Sequence, residues 1–138
     1  MAEDNLIIVD TDMFSKDPAA KTAEANIVAK KYGISDKDLA EVEDYKKELT
    51  EHNAWDLPFM GYVNEDGYGY AYVPDQAITE TGWNAHKAFR AMPHDAQTAF
   101  AIRMLFTHRD ADRYGADMFL HYHRGFQVNF VGSGANKY

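Results

Sequence analysis

The chain has 138 residues, of which 46% are apolar and 26% charged, with a net charge of −8 and no cysteine. That length fits one domain able to bury roughly two-thirds of its unfolded surface, and the apolar fraction is too high for a disordered chain. The missing cysteines exclude a disulfide framework, a thiolate nucleophile and a cysteine-ligated zinc or iron–sulfur site. The negative balance argues against general nucleic-acid binding, which needs clustered Lys and Arg.

Residues 1–5, Met1-Ala-Glu-Asp-Asn, lack the basic start and apolar core of a secretory signal and are expected to be an extended tail. No apolar run approaches the ~20 residues needed to cross a bilayer. The expected location is therefore the cytoplasm, or a particle into which the protein is assembled. Leu6-Ile7-Ile8-Val9 has β composition and predicts a strand. Asp17-Pro18 predicts a helix start, with Asp as N-cap and Pro in the first turn, and Gly33 its end. Ala20, Ala23, Ile27 and Val28 are read as its inner side. Ser35-Asp36-Lys37-Asp38 resembles a capping box and opens a second helix to about Asn53. Leu39, Val42, Tyr45 or Lys46, and Leu49 form its thin apolar stripe, as expected of a surface helix.

Phe59–Val63 and Tyr68–Val73 flank Asn64-Glu65-Asp66-Gly67, which predicts a hairpin over about 59–73. Ile78, Gly82, Ala85, Phe89 and Met92 are spaced for one helical face, with Thr81-Gly82 able to delay the start. Pro93-His94-Asp95 restarts helix. Ala96–Phe106 is apolar on nearly every side except Gln97, Thr98 and Arg103, so it is the expected core element. Asp110–Arg124 predicts another helix, with Ala111, Tyr114, Met118 and Tyr122 aligned and Gly125 as its stop. Phe126, Val128 and Phe130 alternate with Gln127 and Asn129 as a last strand, and residues 132–138 are expected to be an extended tail. The predicted class is α+β: a mostly helical single domain, 1–138, with a small antiparallel sheet formed by the hairpin and the terminal strand.

Leu6-Ile7-Ile8-Val9-Asp10-Thr11-Asp12, a hydrophobic strand ending in Asp-x-Asp, resembles two hydrolase families. In the haloacid dehalogenase-type phosphatases this implies a nucleophilic first Asp, an acid/base second Asp and nearby magnesium. In the nucleoside hydrolases an Asp-Thr-Asp helps hold calcium. Both imply a parallel sheet and, for this chain, a metal-dependent hydrolase. The likeness covers seven residues. Phe14 stands where the first family places Thr or Val, and Met13-Phe14-Ser15-Lys16 lacks the Gly and further Asp residues of the second. A strand followed by acidic turn residues accounts for the same string.

Asp110, Asp117 and His121 share a stripe of the last helix, and Asp117–His121 is an i,i+4 pair of metal-ligating types. Salt bridging and a favourable cation near the helix C-terminus, where His123 and Arg124 fall, account for them without a metal. Arg103, Arg109, Arg113 and Arg124 are interleaved with acids and are expected to form internal ion pairs. No serine sits in G-x-S-x-G, and neither Gly67-x-Gly69 nor Gly132-x-Gly134 has the context of a phosphate loop. No catalytic residue, cofactor or metal site is assigned.

Charge segregation is the strongest signal. Residues 1–80 hold 18 acids and 7 bases, whereas residues 81–138 hold 4 acids and 7 bases, including all five arginines. No Lys or Arg lies between Lys47 and Lys87. That same stretch carries Tyr62, Glu65, Asp66, Tyr68, Tyr70 and Tyr72, a ring-and-carboxylate set suited to stacking on and pairing with a partner's Arg and Lys. Packing of the rings under a helix is the competing reading. The expected function is a non-catalytic protein–protein interaction protein, a subunit of a larger assembly such as a virion, binding a basic protein surface or copies of itself. The alternative is a phage-type inhibitor, anti-CRISPR or anti-restriction, whose acidic surface blocks a nucleic-acid-binding host protein.

Overall fold

Two strands and five α-helices account for most of the described chain in a computed structural model, which describes residues 5–55, 57–59, 78, 82–108 and 110–134. Strand β1 (Leu6–Asp10) leads through a 3-10 helix (Thr11–Ser15) into α1 (Pro18–Lys31) and α2 (Asp36–Glu51). Then come α3 (Ala85–Ala91), α4 (His94–Thr107), α5 (Asp110–Arg124) and β2 (Gln127–Val131). The α+β class holds, with helix dominant. Among the described residues no helix is long and apolar enough to cross a membrane.

Local chemistry sets the helix ends. Asp17 accepts from Ala20 N, and Pro18 occupies the first turn of α1. Gly33, at φ 85°, lets its own N–H bond to Lys30 O and that of Ile34 to Ala29 O. Ser35 accepts from Asp38 N and donates to the Asp38 carboxylate, closing the box that starts α2. At the far end Asn53 adopts φ 51° and plays the part that Gly33 plays after α1.

Helix α4 is the axis of the fold. Every residue from Ala96 to Phe106 is buried, and α1, α2 and α5 all pack around it. The polar members of that run are satisfied: Gln97 Nε2 donates to Phe89 O, Thr98 Oγ1 to His94 O, and Arg103 to two side chains. Tyr45, Phe59, Phe89, Phe100 and Phe119 form the aromatic centre. Phe89 meets Phe119 edge-on at 5.3 Å, and Tyr45 meets Phe100 at 4.9 Å. Tyr45 also donates to Ala85 O at 2.6 Å, pinning α2 to the start of α3.

The sheet corrects the expected topology. β2 pairs with β1 and runs parallel to it, in register from Leu6↔Gln127 to Asp10↔Val131, so the antiparallel arrangement is not found among the described residues. Ile7 and Val9 are buried, opposite Val128 and Phe130, while Ile8 points outward. Five described α-helices intervene between the strands, a crossover long enough to bring β2 back beside β1 in the same direction. Tyr32 fastens this corner by donating to Leu6 O and standing edge-on to Phe126 at 4.8 Å. Of the expected 59–73 hairpin only Phe59 is described, and it is a buried core residue in a turn. Residues 60–73 lie outside the described residues.

Two helix faces and one helix start also differ from expectation. In α1 the buried positions are Ala25 and Ala29, whereas Ile27 is 63% exposed. Small residues let α1 approach α4 closely and carry Asn26 to Arg103, which outweighs burying one isoleucine. In α5 the core side is Ala116, Phe119 and Leu120, while Tyr114 and Tyr122 are substantially exposed, since a phenol tolerates water better than a phenylalanine ring does. The helix expected from Ile78 begins only at Ala85, capped by Asn84 accepting from Lys87 N. Gly82 sits at φ 83° and Ile78 instead forms an isolated antiparallel bridge with Asn84.

Arg103, 2% exposed, donates to Glu43 Oε1 and to Asn26 Oδ1, each at 2.8 Å. Burial raises the Glu43 pKa, but the Arg103 hydrogen bond and charge outweigh it and hold the carboxyl below its ordinary range. Its contribution to stability is thus complete above the usual carboxylate range and is lost as pH falls through the depressed folded-state pKa. Glu43→Ala leaves a buried guanidinium with one neutral partner. It is expected to cost about 1–3 kcal/mol, less than a fully buried pair because Glu43 is half exposed. Glu43→Gln keeps an acceptor and is expected to cost less. Urea unfolding at neutral pH measures both, and equal losses would show that the charge contributes nothing.

Candidate functional site

Helix α2 turns two chemically opposite faces to its surroundings. Val42, Tyr45 and Leu49 are buried, as the stripe predicts, with Leu39 partly so. Along the other side run Glu41, Asp44, Glu48 and Glu51, at spacings of three and four residues; the last three are exposed. Successive carboxylates on such a ridge stand about 5–6 Å apart at Cβ. Lys37 and Lys47 interrupt the ridge, yet residues 36–51 hold seven acids against three lysines.

Beside the ridge lies an open depression of about 340 Å³ lined by Glu43, Lys46, Lys47, Thr50 and Glu51. Burial and then the nearby Arg103 guanidinium depress the Lys46 pKa, with Glu43 opposing. Thr50 donates to Lys46 O and accepts from Trp55 Nε1. The Trp55 ring stacks on His108 at 5.0 Å, and His108 Nδ1 bonds to the buried Asp112 carboxylate at 2.5 Å. The C-terminal half of α2 is therefore braced through Trp55 against the junction of α4 and α5. Nothing in the sequence pattern announced Trp55, Thr50 or His108 as a set, because the three come from different elements.

The opposite sign gathers elsewhere. Lys87 and Arg90 are exposed one turn apart on α3, and His94 is exposed where α4 begins. Arg124, at the end of α5, reaches Asp95 at 3.4 Å. Gln97 ties the α3 terminus to the first turn of α4, so these basic residues lie towards one end of the central helix. Of the other arginines, Arg103 is committed to Glu43 and Asn26, and Arg113 lies 3.7 Å over the Phe14 ring. Internal pairing was the expectation, and Arg103 and Arg124 pair with Glu43 and Asp95. Arg109 lies outside the described residues.

The Asp-x-Asp string ends a parallel strand, and its carboxylates are already engaged. Asp10 caps the 3-10 helix by accepting from Asp12 N at 2.9 Å. Asp12 accepts from both the backbone N–H and the hydroxyl of Ser133, which lower its pKa, while Thr11 accepts from Gly134 N. A Cβ on Gly132, at φ 100°, would collide with Asp10 Oδ1 and Thr11 Oγ1, so the turn after β2 needs glycine there. No group of three or more metal-ligating side chains occurs among the described residues. On α5, His121 Nδ1 lies 3.1 Å from Gln127 Nε2, and His123 stacks on Phe119 at 5.4 Å.

Tyr62, Glu65, Asp66, Tyr68, Tyr70 and Tyr72, the partner-binding set expected from sequence, all lie outside the described residues. The described surface with the same electrostatic character is the outer side of α2. Comparison of the chain with protein-family models, curated proteins and solved structures finds no match in any of the three.

Burial raises the Asp117 pKa, opposed by His121. A raised carboxyl binds protons on folding, so it costs stability once pH rises above its unfolded value. Asp117→Asn is expected to raise the melting temperature at neutral pH, with the gain vanishing in acid. A loss at neutral pH would mean that the carboxylate makes a favourable contact stronger than its desolvation.

Proposed function

We propose that this chain is a non-catalytic interaction protein, a subunit of a larger assembly, that offers a negatively charged helix face to a basic protein partner. The observation that carries this reading is the ridge Glu41, Asp44, Glu48 and Glu51 on a helix immobilised from behind. Carboxylates held on a fixed helix lose little freedom on docking, and a uniform sign steers a cationic partner from a distance. Tyr62, Glu65, Asp66, Tyr68, Tyr70 and Tyr72 extend the same acidic, ring-bearing half of the sequence and are assigned to the same contact. The compartment proposed is the cytoplasm or an assembled particle.

Regular spacing of acids along α2 favours a second reading, the phage-type inhibitor that occupies the nucleic-acid groove of a basic host protein. A ridge with a charge about every 5–6 Å is coarser than one DNA strand, whose phosphates advance about 3.4 Å along the axis each, but it has the same linear form. The two readings part over what the partner normally holds. Competition with DNA for a nuclease, weakening as salt rises, belongs to the inhibitor alone.

The test is affinity capture of the native protein with identification of what co-purifies, repeated with Asp44→Lys/Glu48→Lys and with Tyr70→Ala. The expected outcome is a basic partner whose retention falls about tenfold or more in each variant. Melting temperatures should shift little. Undiminished capture by both variants would remove the acidic half as the contact, and a large loss of stability in Tyr70→Ala would return that ring to the core.

A further inference from the structure

We propose that one partner of the acidic α2 face is a second copy of this chain, which docks its basic end, Lys87, Arg90, His94 and Arg124, on that face. This rests on the reading of α2 as a contact surface and specifies what it meets. The two surfaces are complementary in sign, and both belong to elements fixed by the core. One is a helix clamped by Arg103 and Tyr45. The other surrounds the first turn of α4, where Gln97 holds the end of α3 and Arg124 reaches Asp95.

Within a single molecule the two sets lie on different elements, the acids on α2 and the basic residues on α3, α4 and α5. Arg103 ties α2 to α4 nine residues beyond His94, a rise of about 14 Å. Trp55 and His108 then join the end of α2 to the far end of α4. Asp44, Glu48 and Glu51 are exposed on α2, and Lys87 and Arg90 are exposed on α3. A neighbouring molecule can bring the two sets face to face. The net charge of −8 opposes association, but beyond about 8 Å at physiological ionic strength that repulsion is screened, and the facing patches decide the sign of the contact. Because the patches are different surfaces, the contact is heterologous and repeats from copy to copy, giving a ring if the rotation closes and a filament if it does not.

Sedimentation velocity of the full chain across a concentration series, at low and at high salt, tests this. The wild type is expected to form species larger than a monomer at low salt and to lose them at high salt. Asp44→Lys/Glu48→Lys and Lys87→Glu/Arg90→Glu are each expected to weaken association about tenfold or more, with unchanged circular dichroism. An equimolar mixture of the two variants is expected to associate again, because each supplies the sign that the other has lost. A wild type that stays monomeric at every concentration and salt would overturn self-docking, as would variants that associate like the wild type. Binding to immobilised polylysine separates the two failures. A monomeric wild type that is retained there, with retention lost in Asp44→Lys/Glu48→Lys, ends the second-copy proposal while leaving the acidic contact face standing; absence of retention removes both.

Discussion

A guanidinium buried at the crossing of three helices governs this structure. Arg103 sits in the middle of the most apolar helix, 2% exposed, where an uncompensated charge would be prohibitive. Its two partners come from elsewhere in sequence, Asn26 from α1 and Glu43 from α2. Satisfying it therefore requires both helices at fixed rotations about α4. The rotation of α1 follows, with Ala25 and Ala29 turned inward and Ile27 left in water. So does that of α2, whose outer carboxylates must then face solvent. A packing constraint in the core thus sets the chemistry of the surface.

Local signals in the chain were sufficient for the described helices other than α3, which starts at Ala85 and not at Ile78. Asp17-Pro18, the Ser35–Asp38 box, Pro93-His94 and Gly125 act within a turn of themselves, and each marks an element end where it was read. The uniformly apolar run of α4 likewise identified the core axis. Faces were harder. Alanines on several sides of α1 leave no unique apolar stripe, and in α5 the tyrosines aligned as well as Phe119 and Leu120 did. Choosing between such faces needs the neighbours, here Arg103 and the aromatic centre. Strand pairing was beyond local reading, because Leu6–Asp10 and Gln127–Val131 are joined across most of the chain and alternate in the same way as any hairpin arm.

Charge segregation was legible as composition, and α2 gives its described portion a shape. The ridge could be found from the stripe: once Val42, Tyr45 and Leu49 face inward, Asp44, Glu48 and Glu51 must face outward. The brace of Thr50, Trp55, His108 and Asp112 was not legible, since stacking and a 2.5 Å carboxylate contact arise from packing and have no spacing rule. The Asp-x-Asp string shows the reverse case. Its residues suggested catalysis, yet Asp10 serves as a cap and Asp12 anchors Ser133, roles that acids after a strand commonly take.

The claim that Arg103 fixes the display of α2 is tested most directly by native-state hydrogen exchange of the α2 amides in the wild type and in Arg103→Met. Methionine preserves apolar volume while deleting both hydrogen bonds. The expected result is a loss of protection in the amides around Val42 to Leu49 that exceeds the change in global stability, with α4 and α5 little altered beyond it. Protection in α2 that moves only in step with global stability would contradict a clamp, and would leave its orientation to the Val42, Tyr45 and Leu49 contacts alone.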